Sequence, residues 1–153
     1  MQQYLIRKQF KFESAHQLKC AYSTSCCGMH GHSYLVEVFF QSGQLDNTGM
    51  VIDFGQVSDL FKKHIDSDWD HNLIMPDTFS NDYLDMLKKY NKNLRIVNYN
   101  PTAENMARVL FNEFAHLMAL NDINNKLLHK VRVHETATGW AEYKPLDTFV
   151  IGG

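Results

Sequence analysis

Two histidines two residues apart, His30 and His32, close the run Cys26-Cys27-Gly28-Met29-His30-Gly31-His32. In an extended segment, side chains two residues apart point to the same side, so both imidazoles can face one metal ion. His16 ends another predicted strand, and antiparallel pairing could bring it beside them. Three neutral imidazoles with an open fourth position are typical of a catalytic zinc site. The spacing predicts such a site, with ordinary loop histidines as the alternative.

The cysteines next to this predicted site allow three interpretations. Cys26 or Cys27 could be a fourth ligand of a structural zinc, or a nucleophile or proton carrier that stays off the metal. Both could also be small, half-buried residues without chemistry. With Cys20 the chain has 3 cysteines, an odd number, and the adjacent pair could bridge only with strain. We therefore expect reduced thiols rather than a disulfide framework.

Two further positions combine residue types that suit proton transfer or ligand binding. Asp70 precedes His71, and a carboxylate beside an imidazole can set its tautomer and raise its basicity. Neighbours in sequence need not be hydrogen-bonded, so this pair is a weak signal by itself. Glu135 ends a predicted strand on its apolar side, where a carboxylate needs hydrogen-bond donors such as the guanidine-like edge of a ligand. The alternative is a glutamate that faces solvent at a frayed strand end.

Hydrophobic periodicity predicts the elements that must position these residues. Alternation over Tyr4–His16 and His32–Phe40 predicts two long strands, joined by an irregular segment from Leu18 to Gly31. Helical stripes run from Val57 to Ile65 and from Ala103 to Leu117. We expect Asp53 to cap the first of these helices. We expect Asn100 to cap the second, with Pro101 in its first turn.

Shorter elements complete the predicted order. They are a helix at roughly 81–90, a strand at roughly 94–97, and two final strands near Val131–Glu135 and Trp140–Tyr143. The long elements then follow the order ββ, helix, helix, ββ. This order predicts a single α+β domain over residues 1–153, with an antiparallel sheet and helices on one face.

Length, charge and missing motifs exclude several classes of function. The chain has 153 residues and a formal net charge of −2, so it offers no basic field for nucleic acid or an anionic membrane. It has no secretory signal pattern and no apolar stretch long enough to span a bilayer, so we expect a cytoplasmic protein. Walker-type loops, G-x-G-x-x-G, H-E-x-x-H and G-x-S-x-G are absent.

Taken together, the motifs resemble a known family. They occur in the right order from residue 10 to about residue 143, and the ordered set is far more specific than any one motif. The chain is similar to the 6-pyruvoyl-tetrahydropterin synthase / 6-carboxy-tetrahydropterin synthase family through Phe10-x-Phe12-x-Ser14-Ala15-His16, Cys26-x-x-x-His30-Gly31-His32, Gly49-Met50-Val51-x-Asp53-Phe54, Asp70-His71, Pro101-Thr102-x-Glu104-Asn105 and Glu135-Thr136.

The resemblance implies a fold, an assembly and a role for each site residue. It implies the tunnelling fold, in which ββααββ subunits close into a barrel as trimers and two trimers stack as a homohexamer. It also implies a zinc ion as cofactor and a pterin as substrate. The implied roles are zinc binding by His16, His30 and His32, catalysis by Cys26 with Asp70 and His71, and substrate binding by Glu135 and Thr102.

The resemblance also implies 7,8-dihydroneopterin triphosphate as substrate, and two products divide the family. Loss of triphosphate with internal redox gives a pyruvoyl-pterin for biopterin synthesis, whereas side-chain cleavage releases acetaldehyde and gives the 6-carboxy-pterin that feeds queuosine. The short spacing from Cys26 to His30 and the ending Trp140–Tyr143 favour the zinc-dependent, carboxy-forming lyase. A pyruvoyl-forming enzyme and a non-catalytic pterin- or zinc-binding oligomer are the alternatives.

Three departures from the family pattern limit this transfer. The doubled cysteine leaves Cys27 as an alternative reactive thiol. Trp69 stands where the family usually has Leu. The stretch 76–100 is longer than in the shortest relatives and is expected to shape the mouth of the pocket.

Overall fold

The computed structural model of the protein describes residues 2–19 and 22–146. Its strands form one six-stranded sheet in the order β4-β3-β1-β2-β5-β6. Among the described residues, no helix is long and apolar enough to span a membrane. The elements are β1 (Tyr4–His16), α1 (Thr24–Cys27), β2 (His30–Ser42), α2 (Phe54–Asp68), β3 (Leu73–Pro76), α3 (Asn81–Tyr90), β4 (Leu94–Val97), α4 (Ala103–Leu120), a 3-10 turn (Asn125–Leu127), β5 (Leu128–His134) and β6 (Trp140–Tyr143).

The hairpin of β1 and β2 is the centre of the sheet. The two strands pair antiparallel along their whole length, with Phe12 opposite Tyr34 and His16 opposite His30. Because side chains alternate between faces, one face of the hairpin is apolar and continues into the histidines at the end where the segment 17–29 connects the strands. The prediction of two long strands is therefore confirmed, and β2 begins two residues earlier than expected.

The two long helices cover that apolar face. In α2, Phe61 stacks on Phe114 of α4 with ring centroids 4.1 Å apart. Both side chains are fully buried, and burial of a side chain of this size contributes roughly 1.5–3 kcal/mol to stability. As predicted, Asp53 caps α2, accepting a hydrogen bond from the Gly55 backbone N–H at 2.8 Å.

The start of α4 differs from the prediction in its cap. Thr102 is the N-cap and accepts from the Asn105 N–H, and the helix begins at Ala103. Asn100 cannot act as the cap because its side-chain oxygen accepts the Lys19 N–H at 3.0 Å. Pro101 therefore precedes the helix instead of lying in its first turn.

The region between the long helices holds the largest difference from the predicted sheet. The helix Asn81–Tyr90 and the strand Leu94–Val97 are confirmed. Unpredicted β3 pairs parallel with β1 and with β4, so two parallel strands extend the four antiparallel ones. Helix α3 packs with Leu73, Met75 and Ala15, whose side chains point to the face opposite α2 and α4. The expectation of helices on one face thus holds for the two long helices, whereas α3 covers the other face.

Candidate metal centre and active site

The β1–β2 register brings three histidines together at the end of the hairpin where the segment 17–29 connects the two strands. His16 lies directly opposite His30, and His32 lies opposite Ser14 on the same face. One ring nitrogen from each histidine lies within 4.8 Å of the others. His16 is fully buried, and the other two are partly exposed. The structure therefore places His16, His30 and His32 in one cluster, as the spacing predicts.

Backbone carbonyls set the direction of two of these rings. The Nδ1 atoms of His16 and His30 donate to the carbonyls of Pro101 and Gly28, each at 2.8 Å. A carbonyl only accepts, so each neutral ring carries its proton on Nδ1 and a lone pair on Nε2. Those two Nε2 atoms face each other at 3.0 Å. Nε2 of His32 is buried and has no hydrogen-bond partner among the described residues.

Converging lone pairs of this kind fit a bound cation. Three histidine nitrogens meet at one point, and none of the described residues donates a proton to Nε2 of His32. Three such donors match the ligand set of a catalytic zinc site. Backbone carbonyls on the far ring nitrogens are the usual orienting partners of metal-bound histidines. The cluster is therefore able to hold a divalent metal ion.

Burial favours the neutral, metal-binding form of His16 and His32. Burial is the main cause that lowers the pKa of His16 to about 4, and the charges of His30 and His32 lower it further. The hydrogen bond to the Pro101 carbonyl acts in the opposite direction. Burial also lowers the pKa of His32, although the carboxylate of Glu135 acts in the opposite direction. Neutral imidazoles near pH 7 leave their lone pairs free for coordination.

Glu135 turns its carboxylate toward the cluster. Its Oε1 lies 3.6 Å from His16 Nε2 and 3.7 Å from His32 Nε2, and its side chain is 32% exposed. Strand β5 ends one residue earlier, and the Glu135 N–H donates to the Gly139 carbonyl at 3.1 Å, which fixes the turn. Burial, followed by the charge of Glu135, raises the pKa of the neighbouring Tyr34 hydroxyl. A carboxylate at this position can accept hydrogen bonds from a ligand beside the metal.

Thr102 directly follows Pro101, the residue whose carbonyl contacts His16, and has a structural task. Its hydroxyl oxygen caps α4, and the preceding Pro101 carbonyl holds His16. The hydroxyl proton remains available because the oxygen acts as acceptor in the cap.

The predicted acid–base pair is formed. His71 Nδ1 lies 2.9 Å from Asp70 Oδ2, and Asp70 Oδ1 accepts the Glu13 N–H at 2.8 Å. Burial alone would raise the pKa of Asp70, but the hydrogen bonds from Glu13 and His71 hold it below its ordinary value. The ionised carboxylate keeps the proton on Nδ1, so Nε2 of His71 is able to act as a base.

This pair has no direct contact with the histidine cluster. Within residues 2–19 and 22–146, no hydrogen bond or ion pair joins Asp70 or His71 to the three histidines. The His71 side chain is 73% exposed. It lines a cavity of about 660 Å³ that His32 of the cluster also lines, with Ala15, Leu73 and the segment 90–93 among the other walls. Ala15 and Leu73 belong to the α3 face of the sheet, so part of the longer stretch 76–100 borders the same space as His71.

The two described cysteines differ. Cys26, on α1, is a half-buried free thiol, whereas Cys27 is disulfide-bonded. The expectation of reduced thiols is therefore wrong for Cys27, and Cys20 lies outside the described residues. A bonded sulfur cannot act as a thiolate, so in this structure Cys26 is the reactive candidate.

Sequence reasoning missed the groups that orient the cluster. The carbonyls of Pro101 and Gly28 hold the imidazoles, but a backbone carbonyl carries no residue-type signal. The stretch 76–100 was expected to shape the mouth of the pocket, and its segment 90–93 lines the cavity beside His71.

Comparison with known proteins places this geometry among tetrahydropterin synthases. The family model described as 6-pyruvoyl tetrahydropterin synthase matches residues 5–145. A relative from Haemophilus influenzae, named 6-carboxy-5,6,7,8-tetrahydropterin synthase, is 33% identical over 91% of this chain and 97% of its own. A relative of the same name from Rickettsia typhi is 30% identical over 88% of this chain and 96% of its own.

Two solved structures have the same fold. A protein of Wolinella succinogenes superposes with a TM-score of 0.76 at 21% identity, covering 94% of this chain and 99% of its own. The 6-pyruvoyl tetrahydropterin synthase of Caenorhabditis elegans gives a TM-score of 0.67 at 23% identity, covering 95% and 97%.

Proposed function

The chain belongs to the 6-pyruvoyl tetrahydropterin synthase family, and from this premise we propose that it is a zinc-dependent 6-carboxy-5,6,7,8-tetrahydropterin synthase. It would convert 7,8-dihydroneopterin triphosphate and water to 6-carboxy-tetrahydropterin, acetaldehyde and triphosphate, a step toward queuosine in the cytoplasm. The convergence of three unprotonated histidine nitrogens within 4.8 Å carries the proposal. The names of the relatives favour the carboxy-forming branch.

In this proposal His16, His30 and His32 hold the zinc ion. The bound ion polarises the hydroxyl oxygens of the substrate side chain as a Lewis acid. The carbonyls of Pro101 and Gly28 keep the ring lone pairs directed at one point. Their hydrogen bonds also strengthen the ligands, as is usual around metal centres.

Cys26 and the pair Asp70–His71 would share the proton transfers. Cys26, as thiolate, takes a proton from a carbon of the substrate side chain or returns it. Nε2 of His71 carries the second proton, because Asp70 holds Nδ1 in its protonated form at 2.9 Å. A thiol has an ordinary pKa near 8.5, so positive charge close to Cys26 favours its reactive form.

Glu135 would anchor the pterin ring. Its carboxylate faces the cluster from 3.6 Å, so a ring that donates two N–H groups to it would extend its side chain toward the metal ligands. Thr102 lies beside the same end of the site and could donate its remaining hydroxyl proton to the ligand.

Although His71 and His32 line the same cavity, no described hydrogen bond or ion pair joins His71 to the histidine cluster, and we infer an active site shared between chains. Strand β6 is one edge of the sheet, and the first part of β1 pairs with β2 alone among the described strands. Open edges of this kind can pair with another copy and close a barrel. We assign the chain to a homohexamer of two stacked trimers, in which His71 of one chain serves the metal centre of another.

Mass spectrometry of the products tests the proposed reaction. The zinc-loaded protein is incubated with 7,8-dihydroneopterin triphosphate under reducing conditions that preserve the Cys26 thiol. We expect 6-carboxy-tetrahydropterin with one equivalent of acetaldehyde. A pyruvoyl product without acetaldehyde would move the protein to the biopterin branch. No product in a fully zinc-loaded oligomer would favour a non-catalytic binding protein.

A further inference from the structure

Glu113 is a carboxylate in the middle of α4, on the side that faces the end of α2. Its side chain is only 23% exposed. Three N–H donors surround it: His64 Nε2 at 2.8 Å, Trp69 Nε1 at 2.9 Å, and the guanidinium of Arg95. Burial alone would raise the pKa of Glu113, but the His64 hydrogen bond and the charge of Arg95 hold it below its ordinary value. The carboxylate is thus ionised and fully used near pH 7.

Two of these donors, Trp69 and Arg95, hold the residues directly before Asp70. Trp69, which is fully buried, ends α2, and Arg95 lies over its ring at 4.3 Å. Arg95 also donates to the Asp68 carbonyl at 3.0 Å. Since the last turn of α2 has no basic residue of its own, this contact satisfies one of its free carbonyls. Glu113 therefore holds the end of α2 directly through Trp69 and indirectly through Arg95.

The chain immediately after Trp69 adopts a backbone conformation that needs such support. His71 has φ of +56°, in the left-handed region that costs a non-glycine residue about 1–2 kcal/mol. On one side the turn is held by β1, because the His71 N–H donates to the Glu13 carbonyl at 2.7 Å. On the other side the Asp70 N–H donates to the Ile65 carbonyl at 2.8 Å. The orientation of His71 thus depends on where α2 ends.

We propose that Glu113 is a positioning residue: through Trp69 and Arg95, its carboxylate fixes the turn that presents Asp70 and His71 to the substrate. The inference rests on the proposed function of that pair. Glu113 lies on a different element from both residues and contacts neither of them. Its effect on turnover is transmitted by the position of the turn, since a displacement of about 1 Å can cost on the order of a hundredfold in rate.

Two variants weaken the hydrogen bond between Trp69 and Glu113 with little change in side-chain shape. Trp69→Phe deletes the indole donor, and Glu113→Gln removes the charge. We expect each to lower kcat about tenfold while KM for the pterin triphosphate stays within about twofold. The double variant should fall no further than the worse single variant, because both act through one contact. The limb of the kcat–pH profile due to the Asp70–His71 pair should also shift.

His64→Phe is the matched control. It keeps a ring of similar size and removes another donor from the same carboxylate, but His64 contacts neither Trp69 nor Arg95 in the described hydrogen bonds. We expect it to lower the free energy of unfolding as much as Trp69→Phe does, with kcat unchanged. Equal losses of kcat in the His64 control and in Trp69→Phe would overturn the inference, because a general loss of stability would then explain both losses. Unchanged kcat in Trp69→Phe and Glu113→Gln would overturn it as well.

Hydrogen exchange separates failure of this inference from failure of the proposed function. The backbone N–H groups of residues 69–71 are all hydrogen-bonded, so a peptide spanning them should exchange slowly in the full-length oligomer. Faster exchange of this peptide is expected in Trp69→Phe and Glu113→Gln, but not in His64→Phe. If the wild-type protein shows no turnover, the proposed reaction is wrong, but the exchange rates still test whether Glu113 fixes the turn at residues 69–71. Unchanged exchange in all three variants would show that Glu113 does not fix this turn.

Discussion

The histidine cluster and the Asp70–His71 turn obtain their geometry in opposite ways. The cluster is built from adjacent strands, and its central residue His16 is fully buried with its proton fixed by a carbonyl. The turn leaves the imidazole of His71 73% exposed, in a strained conformation, beside a cavity that His32 also lines. Strand pairing therefore sets the geometry of the cluster, whereas the position of His71 depends on a turn held between β1 and the end of α2.

Loss of a metal ligand should have the largest effect. His30→Ala leaves two imidazoles, so we expect bound zinc to fall to background and turnover to fall about a thousandfold or more. Elemental analysis and product formation measure both quantities. The control is His116→Ala, which changes an exposed histidine on α4 and should keep full zinc and activity. Retention of zinc by His30→Ala would exclude His30 as a ligand.

Removal of the thiol should separate chemistry from metal binding. Cys26→Ala is expected to lower kcat by about a hundredfold to ten-thousandfold, because a proton carrier is lost, with zinc content unchanged. Cobalt substitution provides a second test, since thiolate ligation gives a strong charge-transfer band that three imidazoles lack. A band in the native protein that disappears in Cys26→Ser would place the sulfur on the metal. Full activity in Cys26→Ala would remove the thiol from the mechanism.

Mixed oligomers should reveal whether the two regions act across chains. His30→Ala and His71→Asn are each expected to be inactive alone. After equal amounts are unfolded and reassembled together, about a quarter of the sites should combine an intact cluster with an intact His71 from another chain. Recovery near a quarter of wild-type activity would support shared sites. Reassembled mixtures of normal oligomer size without activity would mean that each chain uses its own His71.

A smaller effect is expected in the stability of the metal-free cluster. Burial holds the pKa of His16 at about 4 in the folded state, against an ordinary value of 6.5. Between these values the unfolded chain binds more protons, so stability falls as the pH is lowered through this range, by about 3 kcal/mol. Urea unfolding in chelator from pH 7 to pH 4.5 measures this slope. His16→Gln should lack this part of the slope, and equal slopes in the two proteins would refute the assigned cause.

Much of the fold could be predicted because strand and helix periodicities are local properties. Alternation identified β1 and β2, and the i, i+3, i+4 stripes identified α2 and α4. Strand β3 was not predicted, because its four consecutive residues Leu73–Pro76 are all buried and show no alternation between apolar and polar positions. The cap of α4 was placed two residues early, since the competing contact of Asn100 with Lys19 joins residues 81 positions apart.

The sequence by itself determined which histidines form the cluster. The spacing of His30 and His32 and the parity of His16 on β1 follow from the two-residue period of a strand, which requires no knowledge of distant contacts. Only the tertiary structure decided how those imidazoles are oriented and which groups have no contact with them. The Pro101 carbonyl reaches His16 across 85 residues, and Glu113 reaches Trp69 across 44. Such contacts depend on how whole elements pack, which no local pattern records.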